Sequence, residues 1–271
     1  AFDLAVQSDG KLLVAGNVEV DDDLDFFVMR LTPAGQPDPA FQDDGELAWG
    51  TTEDETATAI EVMPDDRFVV AGFGMAGGDN DVLVARFLPD GSPDPSFAGG
   101  DGYLYVPLLN DDRGHALVLE PDGDIVVAAQ VSNGTSIDFA ALRITAAGAL
   151  DTSFGGSDTG YVLVDFSAPD ASDDFALGIA RQPDGRFVIA GSAKTRGVGY
   201  TEDIALARLT ADGLLDATFS GDGMVLTDFE AGEKSDVAYE VAIQADGAIV
   251  AAGVTMAQGT NDFAISQYTA D

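Results

Sequence analysis

Short apolar runs separated by Asp-Gly punctuation fill the chain from end to end. KLLVAG (11–16), RFVVAG (67–72), DIVVAA (124–129), RFVIAG (186–191) and AIVAAG (248–253) are rich in β-branched residues and bounded by turn signals. Their pattern has a period of two rather than 3.6, which predicts strands, and nothing resembling a long amphipathic helix interrupts them. The Asp-Gly pair before each run predicts a two-residue hairpin turn, which needs positive φ. Asp66 takes the glycine's place in the second run, and aspartate tolerates that backbone region.

These runs belong to a longer repeat. The aspartates of the turn phrase, at 9, 65, 122, 184 and 246, are 56, 57, 62 and 62 residues apart. A second phrase follows each: DFFVMRLT from Asp25, DVLVARFL from Asp81, DFAALRIT from Asp138, DIALARLT from Asp203 and DFAISQYT from Asp262. A third follows four of them: DPAF (38–41), DPSF (94–97), DTSF (151–154) and DATF (216–219), each leading through a Gly/Asp-rich stretch into a strand. Two phrases in one order five times over, with a third after four of them, establish an internal repeat. Each repeat then holds four strands: A (57–63 in the second repeat), B (67–73), C (82–88) and D (102–108).

Four short strands per unit of this length suit a β-propeller blade, and tight hairpins demand antiparallel neighbours, unlike the parallel coils of a β-solenoid. The expected fold is all-β: one five-bladed β-propeller domain with four antiparallel strands per blade. The repeats run approximately 1–54, 55–111, 112–173, 174–235 and 236–271. Gly and Ala dominate strands A and B, as expected where blades crowd around an axis.

The phrases resemble the bacterial delta-60 repeat family over essentially the whole chain. The matching residues are Asp184-Gly185, Ala190-Gly191, Asp203, Arg208, Asp212-Gly213, Asp216, Phe219 and Asp222-Gly223, with counterparts in the other repeats. Gln267, Asp66 and Ala245 depart from the pattern. The similarity to NHL-type propellers is weaker. The resemblance implies a propeller-like fold in a bacterial secreted or surface protein, with no general assigned activity. Ala1 aligns with Ala238 and Asp271 with Asp212, so the fifth repeat lacks the stretch equivalent to 213–237. By analogy with the NHL arrangement the missing D strand is outermost, leaving a three-stranded last blade. A start at Ala1 reads as a processed or excised piece of a longer chain or assembly.

Composition narrows the function. The chain carries 48 acidic and 12 basic residues, a formal charge of −36, yet 46% of it is hydrophobic, which excludes a disordered acidic tail. That charge disfavours nucleic acid and anionic membrane surfaces, which need clustered Lys and Arg. No apolar run is long enough to span a bilayer as a helix. Without cysteine and with one histidine, His115, thiol chemistry and multi-histidine metal centres are excluded. No G-x-S-x-G elbow is present. Aspartate outnumbers glutamate 38 to 10 and lysine occurs three times, a balance that suits a saline habitat as well as solubility outside the cell.

Candidate chemistry lies in the repeated polar positions. Arg30, Arg86, Arg143 and Arg208 precede Asp38, Asp94, Asp151 and Asp216 by eight residues, which favours a bidentate pair clamping the C–D connection over a ring of anion sites. Phe41, Phe97, Phe154 and Phe219 are expected to plug the core. In a propeller the B–C and D–A connections share a face, and they carry the acids: Asp21, Asp22 and Asp23, then Asp79, Glu53, Asp54, Asp111, Asp170, Asp173, Glu230 and Glu233 among them. Within this set an acid opens strand A (Glu55, Asp112, Asp174, Asp236) and an aspartate opens strand C (Asp25, Asp81, Asp138, Asp203, Asp262). Hard oxygen clusters suit Ca²⁺, and turn caps are the plainer use of each aspartate. The 194–202 and 167–174 loops, with Arg196 and Tyr200, are the most individual insertions, and Asn133-Gly134-Thr135 matches a glycosylation sequon. The expected function is a non-catalytic binding or scaffold propeller of an extracellular or cell-surface protein, whose acidic face binds Ca²⁺ or a basic protein partner. The alternative is a lectin for a cell-surface glycan, or a glycoside-acting enzyme with a carboxylate pair on the same face.

Overall fold

Strands form where the repeat predicts them. The computed structural model describes residues 1–20, 23–51, 53–166, 172–195, 201–229, 235–257 and 260–270, and nineteen strands lie among them. The first sheet is β1 (Asp3–Val6), β2 (Leu12–Val20), β3 (Asp23–Leu31) and β4 (Glu46–Trp49). The second is β5 (Glu55–Val62), β6 (Phe68–Ala76), β7 (Asp79–Phe87) and β8 (Tyr103–Val106). The third is β9 (Asp112–Leu119), β10 (Ile125–Ser132), β11 (Ile137–Ile144) and β12 (Tyr161–Val164). The fourth is β13 (Asp174–Arg181), β14 (Phe187–Thr195), β15 (Thr201–Leu209) and β16 (Met224–Thr227), and the fifth is β17 (Asp236–Ile243), β18 (Ile249–Ala257) and β19 (Thr260–Tyr268). In every sheet the hydrogen-bonded order follows the chain order, so each is an antiparallel meander with A and D at its edges. Sheets of four, four, four, four and three strands among the described residues are the blades of a five-bladed propeller.

The chain divides into two compact units, 1–127 with 144–150 and 128–143 with 151–271. In the first, β5 lies across β1, β2 and β3, and β9 lies across β5, β6 and β7. Leu13, Phe26 and Val28 of one blade thereby pack with Ile60, Phe68, Val70, Leu83 and Phe87 of the next. In the second, β17 lies across β13, β14 and β15, and Val188, Ile204 and Leu206 pack with Val241, Ile249 and Ala251.

The A–B turns are one residue longer than expected. Met63 N–H donates to Arg67 O (2.7 Å) and Asp66 N–H to Met63 O (3.0 Å), a type I turn followed by one left-handed residue. That residue is Gly10, Asp66, Gly123, Gly185 or Gly247, with φ between 64° and 94°. Aspartate takes the position as the sequence suggested.

Part of the glycine enrichment has a cause inside three of the sheets. Strand A carries a bulge, seen as a register shift at Ala57/Ala59, Ala176/Gly178 and Ala238/Glu240. The bulge drives the carbonyls of Thr56, Phe175 and Val237 onto strand B, where a Cβ on Gly72, Gly191 or Gly253 would lie within 1.9 Å of them. Glycine is needed there because the neighbouring backbone occupies the space of a side chain.

The arginine clamp also differs from a bidentate fork. Arg30, Arg86, Arg143 and Arg208 each donate from Nε to one oxygen of the repeat's own Asp38, Asp94, Asp151 or Asp216, at 2.7–2.8 Å. The other aspartate oxygen caps the N–H of Ala40, Ser96, Ser153 or Thr218, two residues on. Arginine Nη1 then reaches the following blade, donating to the carbonyl of Pro89, Ala146, Ala211 or Ala270. Each guanidinium lies 4.6–5.0 Å from the ring centroid of Phe41, Phe97, Phe154 or Phe219, all at most 2% exposed. The cation is used up in joining blades, which leaves it no role as an anion site. In the fifth repeat Gln267 instead donates to Gln244 Oε1 (2.7 Å).

Candidate functional site

The acids that open strands A and C meet between blades rather than within one. Strand C of one sheet and strand A of the next bring together Asp25 with Glu55, Asp81 with Asp112, Asp138 with Asp174, and Asp203 with Asp236. The blade packing is the reason: strand A starts where the D–A link has just crossed from the preceding sheet. Asp262 opens β19 at the same register and is exposed.

At two junctions a third acid joins. Phe139 pairs with Val164 and Ile204 with Thr227 across C and D, so the next residues outward, Asp165 and Asp228, stand opposite Asp138 and Asp203. One carboxylate oxygen from each of Asp138, Asp165 and Asp174 lies within 4.8 Å of the others, and the same holds for Asp203, Asp228 and Asp236. At the corresponding position the first two junctions have Gly50, next to Trp49, and Pro107, next to Val106. Asp165 and Asp228 are the site residues that sequence reading missed. Their signal was the Asp-Phe pair ending strand D in the third and fourth repeats only.

The strand-A acids are buried and half used. Asp112 and Asp174 are fully buried and Asp236 is 1% exposed. One oxygen caps the end of strand D: Asp112 Oδ2 accepts from Leu108 and Leu109 N–H, Asp174 Oδ2 from Phe166 N–H, and Asp236 Oδ2 from Phe229 N–H, all at 2.8 Å. The other oxygen, Oδ1, is buried without a hydrogen-bond partner in all three. Glu55 differs: Thr51 Oγ1 and Tyr105 Oη each donate to Oε1 at 2.6 Å, and Thr51 N–H donates to Oε2 at 3.1 Å. Burial and the Glu55 carboxylate hold the Tyr105 hydroxyl well above its usual range.

The electrostatics follow from burial among like charges. Burial, then Asp165 and Asp138, push Asp174 up to about 7 against the pull of the Phe166 and Lys194 N–H groups. Burial, then Asp79 and Asp112, push Asp81 up to about 6. Burial also raises Asp112 and Asp138. Two further D–A acids are neutralised: Asp111 pairs with Arg113 at 2.9 Å and Asp173 with Lys194 at 2.6 Å. The sequon amide is engaged as well, since Asn133 Nδ2 donates to Asp138 Oδ2 (2.8 Å) and Ser136 Oγ to Asp138 Oδ1 (3.2 Å). Asp21, Asp22, Asp170, Glu230, Glu233, Arg196 and Tyr200 lie outside the described residues.

Such a donor set is chemically narrow. It offers carboxylate oxygens only, without imidazole or thiolate, and so fits a hard divalent cation. A family described as "Domain of unknown function (DUF5122) beta-propeller" matches residues 7–41, 64–97, 120–154, 182–219 and 244–271, more than half of the chain. The chain belongs to this β-propeller repeat family. The matched segments of the DUF5122 propeller hold the A–B turns, strands B and C, and the arginine clamps. The acids opening strand A fall between the segments. No curated protein is similar in sequence. Among solved structures, an endo-arabinase from Bacteroides thetaiotaomicron is similar with a TM-score of 0.46 and 10% identity, over 98% of this chain and 92% of that one. An alpha-L-arabinanase from Penicillium chrysogenum, complexed with arabinobiose, has a TM-score of 0.49 and 8% identity over 98% and 92%. The polysaccharide lyase Uly1 has a TM-score of 0.49 and 12% identity over 98% and 68%.

Proposed function

We propose that this propeller is a non-catalytic binding and scaffold module of an extracellular or cell-surface protein, some of whose blade junctions hold calcium. The carrying observation is the meeting of a strand-C aspartate with a buried strand-A acid, joined at two junctions by a third aspartate. Carboxyls gathered between strands in this way are suited to an ion. Glycoside chemistry asks for two carboxyls flanking a sugar in an open cleft, about 5–10 Å apart. With its junction acids neutralised, the module presents its remaining loop acids to a basic protein partner. Extracellular calcium modules work with Kd of about 10⁻⁴–10⁻³ M, an affinity that a few carboxylates and water supply.

Thermal unfolding of chelator-treated protein tests this reading. An ion bound to the native state alone raises the midpoint with concentration as RT ln(1 + [L]/Kd). Calcium is expected to raise it beyond magnesium, and beyond sodium chloride at matched ionic strength. An equal rise with sodium chloride would mean that the acids respond only to screening, and the reading would fail.

A further inference from the structure

We infer that the third-to-fourth and fourth-to-fifth blade junctions are two equivalent calcium sites, Asp138/Asp165/Asp174 and Asp203/Asp228/Asp236, and that the two earlier junctions are not sites. This rests on the calcium reading above and specifies its ligands and stoichiometry.

Convergent acids alone would say little, because exposed clusters are common. The second observation is the orphaned oxygen. Asp174 and Asp236 each hold one oxygen on a backbone N–H and keep Oδ1 buried with no partner, at 0% and 1% exposure. A buried carboxylate oxygen without a donor is rare because its lost hydration is not replaced. A cation placed against that oxygen and the other two carboxylates replaces it. One carboxylate oxygen from each of the three acids lies within 4.8 Å of the others, about the width of a shell of oxygens at 2.3–2.6 Å from Ca²⁺. Water completes the shell, and a charge of −3 against +2 leaves the site close to neutral. In the first site Asn133 and Ser136 fix Asp138 by hydrogen bonds to both its oxygens. Lys194, bound to Asp173 Oδ2 at 2.6 Å, is already committed.

The chain supplies its own controls. At the first junction both Glu55 oxygens have donors, from Thr51 and Tyr105, and Gly50 stands where the third acid would be. A Cβ on Gly50 would lie 2.1 Å from Asp25 Oδ1 and 2.8 Å from Glu55 Oε2, so the junction is closed around a glycine. At the second junction Pro107 occupies the position, leaving only Asp81 and Asp112. Asp112 also keeps a buried Oδ1 without a partner, so what sets the two later junctions apart is their third acid.

Equilibrium dialysis against radioactive calcium at matched ionic strength tests the assignment. Wild-type protein should bind two ions per chain at millimolar free calcium, D165N and D228N one each, the double variant none, and D81N two. D165G and D228G copy the residue at the first junction and guard against misfolding of the Asn variants, with the metal-free unfolding midpoint as the check on fold. Two ions bound by a folded double variant would overturn these sites while leaving calcium binding itself intact. No calcium bound by wild type would overturn both.

Discussion

Replacing Asp174 by asparagine should stabilise the metal-free protein and destabilise the calcium-loaded one. Asp174 is fully buried and its carboxyl is pushed from 3.8 up to about 7. Between those values the native state keeps a proton that the unfolded chain has released. Stability therefore falls as pH rises through that window and levels off above about pH 7. A shift of some three units corresponds to ~4 kcal/mol at most, and relaxation around the charge brings the realistic figure nearer ~2 kcal/mol. Asparagine keeps an acceptor for the Phe166 N–H and carries no charge. In urea unfolding followed by far-UV circular dichroism with chelator present, D174N should exceed wild type by about 2 kcal/mol near pH 8 and match it near pH 4. Calcium should reverse the order, because the variant has lost a ligand. A variant less stable than wild type at both pH values without calcium would show that the ionised carboxylate is not a burden there, and the electrostatic argument would fall.

Other parts of the fold give independent predictions. Arg208→Met removes a fully buried guanidinium that bonds Asp216, Thr218 and Ala270, and should lower stability by about 3–5 kcal/mol in chemical denaturation, because buried Asp216 keeps only the half-exposed Arg186, at 3.4 Å, as a cationic partner. Gly72→Ala places a Cβ 1.9 Å from Thr56 O and should lower the unfolding midpoint, whereas Gly35→Ala has open space around it and meets only its positive φ, so its loss should be smaller. Asp38, Asp94, Asp151 and Asp216 sit below the usual carboxylate range. Hydrogen bonds from Ala40, Ser96, Ser153 and Thr218 and the clamp arginines hold them there, against their burial. Their stabilisation is complete above about pH 4 and is lost as pH falls through the lowered values, so an acid titration should show a second, separate loss of stability below pH 4 that R208M diminishes.

Repeat phrases made the blades legible, because each blade is one local meander whose turns, alternation and core phenylalanine recur at fixed spacing. What stayed hidden lies between repeats. Arg86 and Asp94 are eight residues apart and could be paired from the sequence, but the bond from Arg86 to Ala146 O spans 60 residues into the next blade. The acids were legible as two recurrent positions, and their partnership was not, since Asp138 meets the strand-A acid of the following repeat instead of its own. Asp165 and Asp228 were harder still. Their position is glycine in the first repeat and proline in the second, so a comparison of repeats discards it as variable. The glycines of strands A and B were legible as a pattern, and two causes act on them: a bulge within the sheet excludes a side chain at Gly72, Gly191 and Gly253, while the neighbouring blade crowds Gly114 and Gly178.

Cations are expected between blades at the junctions with three acids. A crystal structure determined with calcium present, using anomalous differences to mark the ion, tests this most directly. One peak is expected among Asp138, Asp165 and Asp174 and one among Asp203, Asp228 and Asp236, with none beside Gly50 or Pro107. Peaks absent from both triads, with Asp174 and Asp236 instead hydrogen-bonded to water or to a neighbouring acid, would contradict it.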